Sequence, residues 1–200
     1  MIMKPSIGWS GGEAICGDGM MTRTGTRRQA GLTALYLGVF AALWFSVPKA
    51  EPPLHTVLLL GSVAALLTAV LGAVVAGAGG RDAGAPPRDR AADRRYLLIV
   101  GVEFALAGLG AWLLGLAGWS AFIPVLVSAV VGLHFLPLAP VLRDRLLRPL
   151  GLAVCLVALV GLFVGFGSSA LVGPVVGTGV GLLLLGYAVM ALFRARVSPR

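Results

Sequence analysis

Residues Leu54 to Ala78 read LHTVLLLGSVAALLTAVLGAVVAGA, an apolar run without one Asp, Glu, Lys or Arg. A helix rising about 1.5 Å per residue needs roughly 20 such residues to cross a hydrocarbon layer about 30 Å thick. Only a structure that pairs its own backbone groups is tolerated there, because no water is available to satisfy them. The run is too long for a strand and carries no polar stripe of the kind a helix presents to water. It predicts a membrane-crossing α-helix.

Five further segments read the same way: Gly31 to Val47, Tyr96 to Gly118, Ser120 to Val141, Leu150 to Phe166 and Ala170 to Phe193. The first and fifth are short and span only with flanking residues or a locally thinner bilayer. The expected fold is all-α, a polytopic membrane helical bundle of six transmembrane helices arranged as three antiparallel hairpins. Composition agrees: the chain has 200 residues, 58% hydrophobic and 12% charged, with mean hydropathy +0.95, outside the range of soluble domains.

Charge sets the orientation. Of the sixteen basic residues, fifteen fall before segment one, between two and three, between four and five, or after six; Lys49 alone lies on the other side. This asymmetry follows the positive-inside rule and predicts both termini in the cytoplasm. The formal charge of +8 is therefore a topology signal and not a nucleic-acid footprint, since the basic residues punctuate helices instead of covering one surface. It also suits anionic lipid headgroups at the cytoplasmic face. Fourteen arginines against two lysines, with abundant Gly and Ala, point to a GC-rich bacterial coding sequence and so to the bacterial inner membrane.

The chain divides into a polar, Gly-rich N-terminal tail (1–29) expected to be disordered, a first hairpin (30–78), a cytoplasmic linker (79–95), a second and third hairpin (96–194) and a C-terminal tail (195–200). The tail lacks the apolar core of a secretory signal, and Met20-Met21 offers an alternative translation start. Short outer connections near Pro48–Pro53, Gly118–Trp119 and Gly167–Gly173 make neighbouring helices antiparallel. Trp44 and Trp119 are expected at the outer interface and Tyr96 at the inner one. IPVLVSAVV around Pro124 and GPVVGTGVG around Pro174 form a weak internal repeat, with chance likeness between apolar stretches as the plain alternative.

Ionisable groups inside a membrane are costly, so each is a candidate site. Two exist, Glu103 on segment three and His134 on segment four, and they lie equidistant from the Gly118–Trp119 turn. Equal distance places them at equal depth, about 12–14 Å inside Arg95 and Arg143. Such a pair could share a proton or a hydrogen bond, serving either a proton, ion or ligand role or simply the locking of a hairpin. Pro137 removes a backbone donor and is expected to open segment four locally, freeing a carbonyl.

Small residues form the other pattern. Gly173, Gly177 and Gly181 repeat every fourth position on segment six, and segment five offers Gly161 and Gly165, spacings that let helices approach closely. Packing within the bundle is the plain use, and the seam of a homo-oligomer or a substrate path the alternative. Cys16 and Cys155 are too far apart in topology to form a disulfide.

Residues Gly132 to Ala139, GLHFLPLA, followed by the basic Arg143–Pro149 stretch, resemble a group of uncharacterised bacterial multi-pass membrane proteins that carry a similar stretch ahead of a basic loop. The resemblance covers about a tenth of the chain. It implies a small multi-helix membrane protein and supplies no activity.

No Cys or His cluster has metal spacing, and no phosphate-cradling GxxxxGK[ST] or GxSxG stretch is present. No cofactor, no metal and no enzymatic activity are expected. Two readings remain: a permease or proton-coupled carrier component centred on Glu103 and His134, or a structural or accessory protein that partners another membrane complex. A lipid-acting enzyme with His134 as base is weaker, since no nucleophile accompanies it.

Overall fold

The computed structural model describes residues 15–78, 90–141 and 146–197. The start of the N-terminal tail, most of the 79–95 linker, the basic loop containing Arg143 and Arg145, and the last three residues lie outside the described residues. The rest is helical: α1 (Ile15–Ser46), α2 (Leu54–Ala78), α3 (Arg90–Leu116), α4 (Ile123–Val141), α5 (Leu147–Gly167) and α6 (Val172–Val197). Short 3-10 turns at Ser120–Phe122 and Ser169–Leu171 lead into α4 and α6. Among the described residues there is no strand.

Five stretches are long and apolar enough to cross a membrane: Arg27–Ser46, Leu54–Ala78, Ser120–Ala139, Leu147–Gly167 and Ser169–Arg194. This is a membrane-type helical bundle. The sixth helix, α3, departs from the expected Tyr96 to Gly118 span, because its apolar part is shorter, Val100–Leu116. Its first turns carry Arg90, Asp93, Arg94 and Arg95, and Glu103 interrupts the rest. A second departure lies in the tail: α1 begins at Ile15, within the stretch expected to be disordered. Once the apolar half of a helix is fixed, each added residue contributes a hydrogen bond without a new nucleation cost.

Turn chemistry explains the α3–α4 corner. Gly118 has φ 77, which is accessible to glycine without a Cβ clash. The Trp119 amide donates to the Leu114 carbonyl at 2.8 Å and the Gly118 amide to that of Gly115 at 3.2 Å, the paired bonds of a Schellman stop. The chain leaves α3 reversed, and the Phe122 amide, bonded to the Trp119 carbonyl at 3.0 Å, starts the turn into α4.

The helices pack as an open row in the order α2, α1, α6, α5, α4, α3, each antiparallel to its neighbours. The expected hairpins are present, but α4 packs on α5 more extensively than α3 does on α4 or α5 on α6, and α1 packs on α6 across the whole length of the sequence. The core is built around α6, with α1 on one side of it and α5 and α4 on the other. Val172, Val176, Val180, Leu184 and Ala188 form a fully buried stripe along α6, spaced four apart as one helical face requires. Leu37, Ala41, Trp44 and Phe45 cover it from α1, and Val154 and Ala158 from α5. Trp44 is therefore a core residue, 6% exposed, and not the outer-interface anchor expected from sequence; Trp119, 64% exposed, faces outward. The side chain of Tyr96 lies outside the described residues.

The closest approaches are made through glycine. A Cβ on Gly31 would stand 2.5 Å from the Ala76 nitrogen, and one on Gly72 would stand 2.6 Å from the Leu35 nitrogen, so α1 and α2 meet backbone to backbone. Gly132 and Gly151 do the same for α4 and α5: a Cβ on Gly132 would stand 2.9 Å from the Gly151 oxygen, and one on Gly151 would stand 2.6 Å from the Gly132 oxygen. In lipid, where apolar side chains gain little from leaving the solvent, such close van der Waals contact is a main source of helix association. Three hydroxyls bond to carbonyls of their own helix, Ser128 to Val125 at 2.9 Å, Thr68 to Ala64 at 2.8 Å and Ser46 to Ala42 at 2.9 Å, while Ser62 of α2 reaches the Ala42 carbonyl of α1 at 3.4 Å.

Candidate functional site: the contact between Glu103 and His134

Among the described residues helix α3 touches one other long helix, α4. Its half-buried residues Val100, Glu103, Ala107, Gly110 and Leu114 recur at spacings of three and four, and most of the residues between them are exposed. That single stripe faces α4, and Glu103 belongs to it. Helix α4 has two working faces. Val125, Ser128, Gly132, Phe135 and Ala139 are buried on the side of α5, while Leu126 and His134 meet α3. The Leu126 side chain lies against Gly110, two turns from the His134–Glu103 contact.

His134 Nδ1 stands 3.0 Å from Glu103 Oε2, with the two side chains 10% and 15% exposed. Nδ1 is enclosed, and although the separation is that of a hydrogen bond, its direction does not qualify as one. The contact is best described as a close polar approach that a small rotation of the imidazole would align. Either protonation arrangement suits it: a neutral carboxyl can donate to a bare Nδ1, and an imidazolium Nδ1–H can donate to a carboxylate. Phe135 tilts its ring beside the imidazole, with centroids 6.2 Å apart.

The pair lies at the edge of the row. Burial of α3 on one side only is the reason. Pro137 is exposed on α4, on the same outer face as Leu133, whose carbonyl would otherwise bond its amide. Helix α4 continues through it to Val141. The freed carbonyl belongs to the outer face and not to the pair.

The glycines read from sequence fall on different seams. Gly177 meets Pro48 and the Trp44 carbonyl, and Gly181 meets the Phe45 ring, so both seat α1 on α6. Gly173 is the looser end of that stripe, with Pro48 at 4.0 Å. Gly161 takes the Val176 side chain, and Gly165 the Phe122 ring. Gly31, Gly38, Gly72, Gly132 and Gly151, which make the backbone contacts, escape the sequence reading. A signal for the first three is nevertheless present in the small residues Gly61, Ala65, Ala69, Gly72 and Ala76 of α2, spaced three or four apart opposite Gly31, Ala34 and Gly38.

Among the described residues no group of three or more His, Cys, Asp or Glu could hold a metal. Cys155 lies between α4 and α5 with Sγ 4.0 Å from the Ala129 carbonyl and serves as a small packing residue. What the site can do chemically is hold or pass one proton, or tie two helices together. Compared with protein families, curated proteins and solved structures, the chain matches none.

Proposed function

We propose that this chain is a small non-enzymatic protein of the bacterial cytoplasmic membrane, spanning it six times with both ends inside, and that it works as a structural or accessory component in which the Glu103–His134 contact latches the edge helix α3 onto α4. The observation that carries the reading is the position of α3: one covered stripe, one neighbouring long helix, and an ionisable pair set into that stripe. Helix α3 is 27 residues long, about 40 Å at the usual rise, which exceeds the hydrocarbon thickness although its apolar part alone is short. Removing either partner inside an apolar seam would strand the other, whereas the pair shares its desolvation cost. A row whose end helices α2 and α3 expose apolar faces suits a protein that acts by lateral contact in the membrane.

The 3.0 Å separation favours a second reading, a permease or proton-coupled carrier component that uses the pair as a relay. One set of variants separates the two. Glu103→Gln keeps a hydrogen-bonding partner for His134 but cannot titrate; Glu103→Leu strands His134. The latch predicts a stable Gln variant, a Leu variant that unfolds more readily, and a coupling in the Glu103/His134 double-mutant cycle of about 0.6 kcal/mol, up to about 1.7. A Leu variant as stable as wild type, with no coupling, would refute it. The relay predicts proton flux in proteoliposomes that disappears in the Gln variant, and flux retained by that variant would refute the relay.

A further inference from the structure

Helices α2 and α6 are both antiparallel to α1 and so run parallel to each other, touching along part of their length. Beside that contact they leave a groove of about 140 Å³ lined by Thr68 and Leu71 from α2 and by Val189, Leu192, Phe193 and Arg196 from α6. A cavity of this size accommodates a benzene-sized apolar group, so it fits part of one hydrocarbon chain and not a whole lipid. Its walls offer water little to bond. The Thr68 hydroxyl is already committed to the Ala64 carbonyl at 2.8 Å, and four of the remaining residues are aliphatic or aromatic. At one end stands Arg196, exposed, in the last turn of α6 beside Arg194 and about 4.5 Å along the axis from Phe193.

An apolar slot ending in a cation where the helix leaves its apolar stretch matches one kind of occupant. We propose that the α2–α6 groove is a binding site for an anionic phospholipid, with part of an acyl chain against Leu71, Val189 and Phe193 and the phosphate against Arg196. The guanidinium is suited to this, because its planar donors bind a phosphate through two parallel hydrogen bonds, and its charge favours a headgroup with a net negative charge over one whose phosphate is offset by an ammonium group. The site gives Arg196 a role beyond setting topology. It rests on the reading of the chain as a membrane protein.

The test uses the full chain purified from membranes in mild detergent and offered phosphatidylglycerol or phosphatidylcholine with matched acyl chains, with retained lipid measured by native mass spectrometry. Wild type should retain the anionic lipid about five-fold better, the preference that one arginine near a lipid headgroup provides. Arg196→Gln should bring the two lipids level. Val189→Trp, or Leu71→Phe on the opposite wall should the first variant fail to fold, should lower retention of both. An unchanged preference in Arg196→Gln, or full retention of both lipids in a groove-filled variant that folds, would overturn the site. Complete displacement of the lipid by inorganic phosphate would overturn it too, by showing an anion site that needs no chain. Release of the protein from membranes by alkaline carbonate would overturn the membrane reading itself, an outcome distinguishable from loss of the lipid preference in an embedded protein.

Discussion

Replacing Gly72 by alanine tests how the first two helices are held together. The new Cβ would stand 2.6 Å from the Leu35 nitrogen and 2.7 Å from the Gly31 oxygen, about 0.8 Å short of ordinary contact. Both obstructing atoms are backbone, so no side chain can swing aside, and relief requires α1 and α2 to move apart along the seam. Overpacking of this kind costs about 1–3 kcal/mol. Against it stands the helix-forming advantage of alanine over glycine, about 1 kcal/mol. Gly108→Ala isolates the clash. Gly108 lies in mid-α3, where an added Cβ would meet nothing within 4 Å, so this variant gains the propensity without the contact. Gly72→Ala should therefore be less stable than Gly108→Ala by about 1–3 kcal/mol, and Gly108→Ala should be at least as stable as wild type. Reversible unfolding in mixed detergent micelles, followed by circular dichroism, measures the difference. Equal stability of the two variants would refute the backbone-to-backbone packing of α1 on α2.

The turn and the charge pattern each lead to a further prediction. Gly118→Ala places a Cβ at φ 77, a left-handed conformation, and should destabilise the α3–α4 corner by about 1–2 kcal/mol in the same unfolding assay; a neutral effect would remove the Schellman stop as the reason for that glycine. Reporter fusions should place the 79–89 linker and the end of α6 on the cytoplasmic side and the 48–53 connection outside, whereas a reporter after Phe193 that is active outside would contradict an even number of crossings.

Much of the helical layout is written in the chain itself. The expected Leu54–Ala78 segment and observed α2 have the same bounds, and the other five helices differ from their expected segments mainly at their ends. A long apolar run admits few structures that satisfy its own backbone, so length and polarity are sufficient to define it. Depth is readable for the same reason. A fixed rise per residue on either side of a tight turn is enough to bring Glu103 and His134 to one level from their positions in the chain.

What the residues could not supply was azimuth and neighbourhood. An amphipathic helix in a soluble protein declares its inner face by contrast with its polar one, but these helices are apolar almost all round, and lipid is as apolar as the core. Which face of α3 meets α4, and that nothing covers its other faces among the described residues, is decided by tertiary packing. The same holds for the burial of Trp44 and for the contact of α1 with α6, which joins the two ends of the sequence. Glycine spacing showed that close approach was available on several helices; only the fit of one backbone against another determined that α1 meets α2 at Gly31 and Gly72, and α4 meets α5 at Gly132 and Gly151. The helices and their depth are thus properties of the residue order alone, because backbone hydrogen bonding in an apolar medium is a local requirement. The order of the row, and the place of the Glu103–His134 pair at its edge, belong to the folded bundle, because shape complementarity between apolar surfaces is not a local property.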